Sequence, residues 1–497
     1  MRDPQPFASR VSPVARVRRV FSPGSPSSPA SPGFWRSPLR GPWFTSVLGV
    51  VLLAGITALF VTGLLSYAAY NPGLSPVNDK TPDKGLLGLY LFPWPTDPVW
   101  LYRLTQGVHV TLGLVLIPVL LAKLWSVVPK LFTLPPARSL AHGLERISLL
   151  LLVGGALFEF TTGVLNIQLD YVFPGSFYPL HFYGAWVFFA AFVTHAVLRV
   201  PAAVRNLRHP RTGSTGTGST GTGSTGTGST GTGSTGTGST GTGSTGTGST
   251  GADVSRETPP AGGDTPPATP ELTPSATAVS GQGLVSPDPA SPTVSRRGAL
   301  GLVGGGSLLL LVTTAGRNFD GPLRESAVLA PHGGPEPASG AAAFQVNKTA
   351  AAVGIDAAET TEEAWRLVVT GRTGTVRLSR AALLRLPQHG AALPIACVEG
   401  WSTSDQSWRG VRLRDLAALV GHGDGADVLV ESLQRHGAFR RAALRANQVA
   451  DPRSLLALYV NGEPLTPDHG HPARVIVPAA PGVHNTKWVA RMTFGDL

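Results

Sequence analysis

One cysteine stands among 497 residues: Cys397, in the stretch ALPIACVEGWS. A lone thiol closes no disulfide within the chain and cannot build a zinc site from several thiolates. It can attack a substrate, or fill one coordination position of a metal whose other ligands belong to a cofactor. It would also serve as a small buried apolar residue. Farther along, LYVNGEPLTPDHGHPARVIVP and GVHNTKWV supply a planar fork in Arg474, a point charge in Lys487 and a turn at Asn485 and Thr486. A terminal phosphate is held by such a set: fork, point charge and free donors. His469 and His471 alternate along DHGHP and so share a face, as a metal pair would, but no third ligand accompanies them. His469 is expected instead to reach a cofactor from a polar turn.

Several separated motifs agree on one relationship. CVEGWS followed by SWRGVRLRDL, the strand VLVES, and the two segments around Arg474 and Lys487 resemble the sulfite oxidase type of molybdopterin oxidoreductases, over about Phe344 to Leu497. The resemblance implies that Cys397 is a thiolate ligand of molybdenum, with two further sulfurs from the pterin dithiolene. It also implies a cofactor shell of Ser432, His469, Arg474, Asn485, Thr486 and Lys487, with Asn347 of FQVNKTAAA added. Eukaryotic sulfite oxidases carry a further immunoglobulin-like dimerisation domain, which is not expected after Leu497. Sulfite-oxidising members follow the cysteine closely with arginines that bind the anion; here Val398, Glu399, Gly400 and Trp401 follow it. An acidic and aromatic surround repels a dianion. In this respect CVEGWS is similar to the reductase branch, which acts on S-oxides and draws electrons from a haem partner in the membrane. Arg409, Arg412 or Arg440 swinging into the pocket, or Glu399 facing away from it, would reverse that choice.

The first two hundred residues must position something else. Phe44 to Leu65, Gly107 to Trp125, Ile147 to Leu165 and Phe182 to Val200 are apolar runs of about 19 to 22 residues, long enough to cross a bilayer as helices. Basic residues gather before the first run (Arg16, Arg18, Arg19, Arg36, Arg40), between the second and third (Lys123, Lys130, Arg138, Arg146) and after the fourth (Arg199, Arg205, Arg208). By the positive-inside rule the amino terminus lies in the cytoplasm. Four histidines then fall at two depths: His109 and His181 near the outer face, His142 and His195 near the inner. The 14 residues from His181 to His195 rise about 21 Å and return to nearly the same helix face. Ionisable groups in a membrane are costly and usually functional. This spacing suits two stacked haems, each held by histidines of two helices. The region resembles bacterial membrane cytochromes of the b type, which implies His109, His142, His181 and His195 as iron ligands of haem b, two per chain. The alternative leaves His142 and His181 as interfacial residues only.

Between Leu207 and Ser295 the chain repeats GSTGT with a period of five and then turns rich in Pro, Thr, Ala and Ser. Such composition cannot repay its ordering entropy and reads as a flexible tether spanning on the order of 50 Å. SRRGALGLVGGGSLLLLVTTAG comes next, with Arg296 and Arg297 adjacent. It reads either as a twin-arginine export signal, used by domains exported already folded, or as a fifth span with a basic flank. Either way, the residues beyond it lie outside the cytoplasm.

The expected architecture is therefore multi-domain. A basic cytoplasmic arm (1–43) precedes an all-α transmembrane bundle (44–205); after these come a linker (206–294), a signal or fifth span (295–316) and an extracytoplasmic α+β molybdopterin domain (344–497). The net charge of +11 resides largely in the arm and inner loops, where it favours anionic lipid heads, and no nucleic-acid reader module accompanies it. Expected partners are a small-molecule substrate, a membrane quinone or another electron carrier, and the bilayer of the cell membrane. Two other classes stay open: a cysteine hydrolase on a membrane anchor with His436 or His484 as base, and a cofactor-free binding module.

Overall fold

The structure, a computed structural model, describes residues 42–75, 77, 92–131, 140–167, 177–208, 294–319, 322–330 and 343–497. The basic arm before residue 42, most of the linker and the residues around Gln168 lie outside them. So does the side chain of His142, although its backbone is helical.

Five helices are long and apolar enough to cross a membrane. They are α1 (Pro42–Ala69), α2 (Leu101–Leu131), α3 (Leu140–Asn166), α4 (Phe177–Arg208) and α5 (Arg296–Ala315). The first four contain the four apolar runs and extend each by several residues, because polar ends such as Leu101 to Gln106 still close helical hydrogen bonds. The helices bury little of themselves against protein and leave Leu150, Val187, Leu198, Leu302 and Leu309 exposed, as a bilayer-facing surface requires. Their mutual core is Phe44, Leu48, Leu52, Ile56, Leu116, Leu120, Phe188 and Phe192. Small residues permit close approach. A methyl group at Gly55 would meet Leu116 at 2.5 Å, and one at Gly155 would meet Phe188 at 3.2 Å. The arginine-led stretch forms a true helix, capped by Ser295, whose hydroxyl accepts from Gly298 at 3.0 Å. It lies along α2, where Ser307 donates to the Val115 carbonyl at 2.8 Å.

The carboxyl-terminal part has two sheets. The first runs β2 (Gly374–Leu378), β1 (Leu367–Gly371), β10 (Val489–Gly495), β5 (Asp427–Ser432), β6 (Arg441–Leu444), antiparallel except for the β1–β10 pair. The second runs β3 (His389–Leu393), β4 (Gln406–Arg412), β7 (Leu455–Val460), β8 (Glu463–Pro464), with β9 (Arg474–Ile476) also paired to β7. WRLVVTG, TVRLS, VLVES and ARVIVP each supply a strand, and β7 is buried almost throughout, as a strand with both faces covered should be. Leu367, Val369, Leu416, Val428, Val430, Leu456, Leu458 and Val475 meet in one core. Truncating one of these leucines to alanine costs about 2–5 kcal/mol.

The two parts are joined by polar contacts, several of them buried, as well as by chain. Asn71, fully buried at the end of α1 in a left-handed conformation, donates to the Ala443 carbonyl at 3.1 Å and to Gln448 at 2.8 Å. Trp94 donates to the Ala479 carbonyl at 2.6 Å, and Asn447 donates back to the Trp94 carbonyl at 2.9 Å. Arg453 bridges Asp451 at 2.6 Å and Asp97 at 2.8 Å. The ends of α1, α2 and α5 thus seat the sheet domain directly on the bundle.

Candidate functional site

Cys397 lies on a short loop after β3. Its amide donates to the Trp401 carbonyl at 2.8 Å, and the Gly400 amide donates to the Cys397 carbonyl at 3.1 Å. Gly400 has φ +85, the left-handed region that glycine enters without strain. Ala396 bridges both Ser402 and Pro481, which brings the loop beside the GVHNTKWV segment. The thiol is buried, with Glu399 at 3.7 Å and Trp401 donating to the same carboxylate at 2.5 Å. Burial first, and the Glu399 charge second, push the Cys397 thiol well above its ordinary range. A thiol so placed is a poor nucleophile at neutral pH. Metal coordination would deprotonate it outright.

The second half of the site is built by register. The Val475 amide donates to the Thr486 carbonyl at 2.9 Å, the Val477 amide to the Asn485 side chain at 2.9 Å, and the Val489 amide to the Ala473 carbonyl at 3.0 Å. These bonds lay 473–477 alongside 485–489 and so bring Arg474, Asn485, Thr486 and Lys487 together. Gly470, with φ +107, passes so near Lys487 that a methyl group there would stand 3.0 Å from its Cβ.

This cluster is rich in donors that the protein does not use. Arg474 Nε, His484 Nδ1, Asn485 Nδ2 and Thr486 Oγ1 are buried and have no hydrogen-bond partner among the described residues. Neither Arg474 nor Lys487 forms a salt bridge among them. Burial pulls the Arg474 guanidinium down to about 9, and burial together with Arg474 and Lys348 holds Lys487 well below its ordinary range. Lys487 Nζ donates to the Lys348 and Asp468 carbonyls at 2.9 and 2.8 Å. Lys348, to which no sequence motif pointed, donates to the Ala438 carbonyl at 2.8 Å. Buried cations and orphaned donors on one side of a buried thiol fit an anionic cofactor and leave the protein incomplete without one.

The other expected shell residues take different parts. Ser432 donates to the Lys487 carbonyl at 2.8 Å and accepts from the Gln434 amide at 3.1 Å, so it fixes the segment that carries the lysine. His469 is held between Thr466 at 2.8 Å and the Phe344 carbonyl at 3.3 Å, with Phe344 tilted against its ring at 4.1 Å. Burial, then Arg474 and Lys487, lower it to about 4 and keep it neutral. His471 is shifted down by burial as well. Asn347 is half-buried beside Lys348. His436 packs against Gly354, and among the described residues no imidazole bonds Cys397, as a thiol hydrolase would need. Those residues also contain no group of three or more His, Cys, Asp or Glu able to hold a metal, so a metal at Cys397 needs ligands of its own.

In the bundle, His109 of α2 and His181 of α4 meet, with ring centroids 6.2 Å apart. His109 Nδ1 lies 3.0 Å from the Leu59 carbonyl and 3.1 Å from Thr62 Oγ1. His181 Nδ1 lies 3.0 Å from Thr162 Oγ1 and 3.1 Å from Glu159. An Nδ1 that donates to a carbonyl or carboxylate leaves Nε2 as the lone-pair nitrogen, the tautomer a metal takes. The two settings are alike: LFVTG (59–63) in α1 and EFTTG (159–163) in α3. A methyl group on Gly63 would meet His109 at 3.1 Å, and one on Gly163 would meet His181 at 3.3 Å. The repeat is visible in the sequence; its meaning needs the helix pairing. His195 lies farther along α4.

The comparisons with known proteins bear on the sheet domain. A sequence model for the oxidoreductase molybdopterin binding domain matches residues 354–496. Rat mitochondrial sulfite oxidase is 32% identical over 158 residues, covering 26% of this chain and 29% of its own. The uncharacterized oxidoreductase YuiH of Bacillus subtilis is 32% identical over 131 residues, covering 26% of this chain and 65% of its own. Barley NAD(P)H nitrate reductase is 40% identical over 94 residues, covering 17% of this chain and 10% of its own. The chain thus spans under a third of the length of the sulfite oxidase it matches. Residues 354–496 are an oxidoreductase domain that binds molybdopterin, of the sulfite oxidase type.

Proposed function

We propose that the whole chain is a membrane-bound molybdopterin-dependent oxidoreductase, transferring an oxygen atom outside the cytoplasm with electrons passed through haem b in the bundle. The observation that carries the cofactor assignment is the buried cluster of Arg474, Lys487, Asn485 and Thr486, with its unused donors and uncompensated cations. Arg474 and Lys487 would neutralise the pterin phosphate, Asn485 and Thr486 would bond its oxygens, and Asn347, His469 and Ser432 would shape and hold the walls. Cys397 would ligate molybdenum. When bound, that group supplies two-electron oxygen-atom transfer: an S-oxide, two electrons and two protons give a thioether and water.

The geometry around Cys397 favours a neutral S-oxide or N-oxide over sulfite. Glu399 is buried within 3.7 Å of the sulfur, and its charge would oppose a dianion. Arg409 lies over the Tyr459 ring at 4.0 Å on β4, and Arg440 is exposed. The second reading, sulfite oxidation in the same domain, is favoured by the relatives whose name states it.

Membrane residence is supported by the five helices, and orientation by charge. Arg205, Arg208, Arg296 and Arg297 lie at the helix ends opposite those that seat the sheet domain, so the positive-inside rule puts that domain outside. The packing of α5 on α2 supports a retained fifth span led by a twin-arginine pair. The His109–His181 separation is compatible with both imidazoles on one iron, at about 2 Å per metal–nitrogen bond. His142 and His195 are proposed for a second haem, with a membrane quinone or another carrier as electron partner. Molybdenum content and the visible spectrum of the purified full-length chain test the assignment. Assays of the reduced protein with methionine sulfoxide and of the oxidised protein with sulfite test direction. Rapid sulfite turnover without S-oxide reduction would overturn the substrate choice.

A further inference from the structure

Backbone carbonyls in a buried loop must be paired, and counting them along the cysteine loop shows where the partners come from. Those of Cys397 and Trp401 are satisfied within the loop, by the amides of Gly400 and Cys397. Three more, at the alternate positions 398, 400 and 402, are satisfied from outside the sheet domain. Val398 accepts from the Gln106 side chain of α2. Gly400 accepts from Asn318, just past α5, at 2.7 Å. Ser402 accepts from Arg324 at 2.6 Å. Gln106 is itself aligned by Ser66 of α1, which donates to its amide oxygen at 2.6 Å. The fit is close, since a methyl group on Gly400 would stand 2.5 Å from Val110 Cβ of α2. Gln106 lies one helical turn before His109.

We infer that the helix bundle and the short segment after α5 complete the catalytic loop: Gln106 of α2, with Asn318 and Arg324 of that segment, are positioning residues that hold the backbone at 398–402, and with it the Cys397 sulfur. The sheet domain by itself lacks three of the donors its cysteine loop requires. Gln106 ties that loop to the helix bearing His109, so the two proposed redox centres share one rigid connection. The catalytic meaning rests on Cys397 as the metal ligand; the loop geometry does not.

Because Cys397 is the sole cysteine, its reaction with N-ethylmaleimide reads this loop alone. The test uses the full-length chain, produced without cofactor, as wild type, Gln106→Glu and Asn318→Ala. An ionised glutamate keeps the shape of glutamine and accepts from Ser66, but cannot donate to Val398. Labelling should accelerate about tenfold, as expected when one buried donor is lost, while the exposed-surface variant Thr57→Ala stays at the wild-type rate. In the holoenzyme, amide exchange across 395–404 should rise in both loop variants and stay unchanged across β7. Wild-type labelling and exchange in either folded variant would overturn the inference, as would a uniform rise across the domain. Should Cys397→Ser retain molybdenum while Gln106→Glu still loosens the loop, the metal reading falls and this one stands.

Discussion

Replacing Arg474 by methionine should move stability and cofactor retention in opposite directions. In the cofactor-free chain the guanidinium is buried without an anionic partner among the described residues, and burial pulls its pKa from the ordinary arginine range down to about 9. With each pKa unit worth about 1.4 kcal/mol, the desolvation is on the order of 5 kcal/mol. Since about 9 is still above neutral pH, the group stays charged and the cost is borne in full. Against this stand a 3.4 Å hydrogen bond to the His469 carbonyl and a position 5.5 Å over the Trp408 ring, each worth about 1 kcal/mol. Methionine fills similar volume without charge, so the cofactor-free variant should gain roughly 2–3 kcal/mol. For a domain of this size that is a melting temperature higher by about 5–10 °C. The same variant should retain little pterin, because it lacks the fork that holds phosphate. Thermal melts of cofactor-free protein and pterin content of protein made with cofactor check both halves. A destabilised cofactor-free variant, or one that binds pterin normally, would refute the view of Arg474 as a waiting anion ligand.

Cys397→Ser should abolish turnover and change the molybdenum signal while the domain keeps its melting temperature, because serine fits the same buried position; full activity would contradict metal ligation. His109→Ala and His181→Ala should each remove the same haem and leave the other, read from haem per chain, and Thr62→Val should weaken that haem by removing one of the two oxygens that hold the Nδ1 of His109. Arg296→Lys with Arg297→Lys preserves charge and should still strand the sheet domain inside, as protease access at the cell surface will show; unchanged access would leave an ordinary fifth span. Lys487 is depressed in the folded state, so cofactor-free stability should rise as pH climbs through its folded value towards the ordinary 10.5. A flat alkaline profile that also persists in Lys487→Met would argue against it.

The legible parts of the molecule are those set by period and charge. Uninterrupted apolar runs mark the four spans, and short alternating stretches mark the strands, because both reflect burial of one residue at a time. The pairing of His109 with His181 is legible from depth alone, since α2 and α4 cross in the same direction and each carries its histidine near its start. Less accessible are the roles of polar side chains whose partners are backbone atoms distant in sequence. Ser432 and His469 look like free cofactor donors, yet their hydrogen bonds go to Lys487 and to Thr466 and Phe344. Asn71, Trp94 and Asn318 carry no signal at all, because each matters through partners it meets across the junction, chiefly backbone carbonyls. Gln106 does leave a trace: a polar residue at the mouth of an apolar helix, one turn before a histidine.

The seating of the sheet domain changes what the Gly/Ser/Thr linker has to do. A tether raises the local concentration of a domain but does not orient it. Here orientation comes from Asn71, Trp94, Arg103, Asn318 and Arg324, most of them donating to a backbone carbonyl across the junction. Backbone acceptors are fixed by the fold, so such contacts specify one seating where side-chain ion pairs would tolerate several. Two of these donors come after α5, which itself packs on α2. Cutting the chain after Ala315 would therefore detach the anchor but leave the segment with Asn318 and Arg324 joined to the sheet domain by the chain. Gln106, by contrast, belongs wholly to the bundle. It is the residue through which loss of the membrane part should first be felt at Cys397.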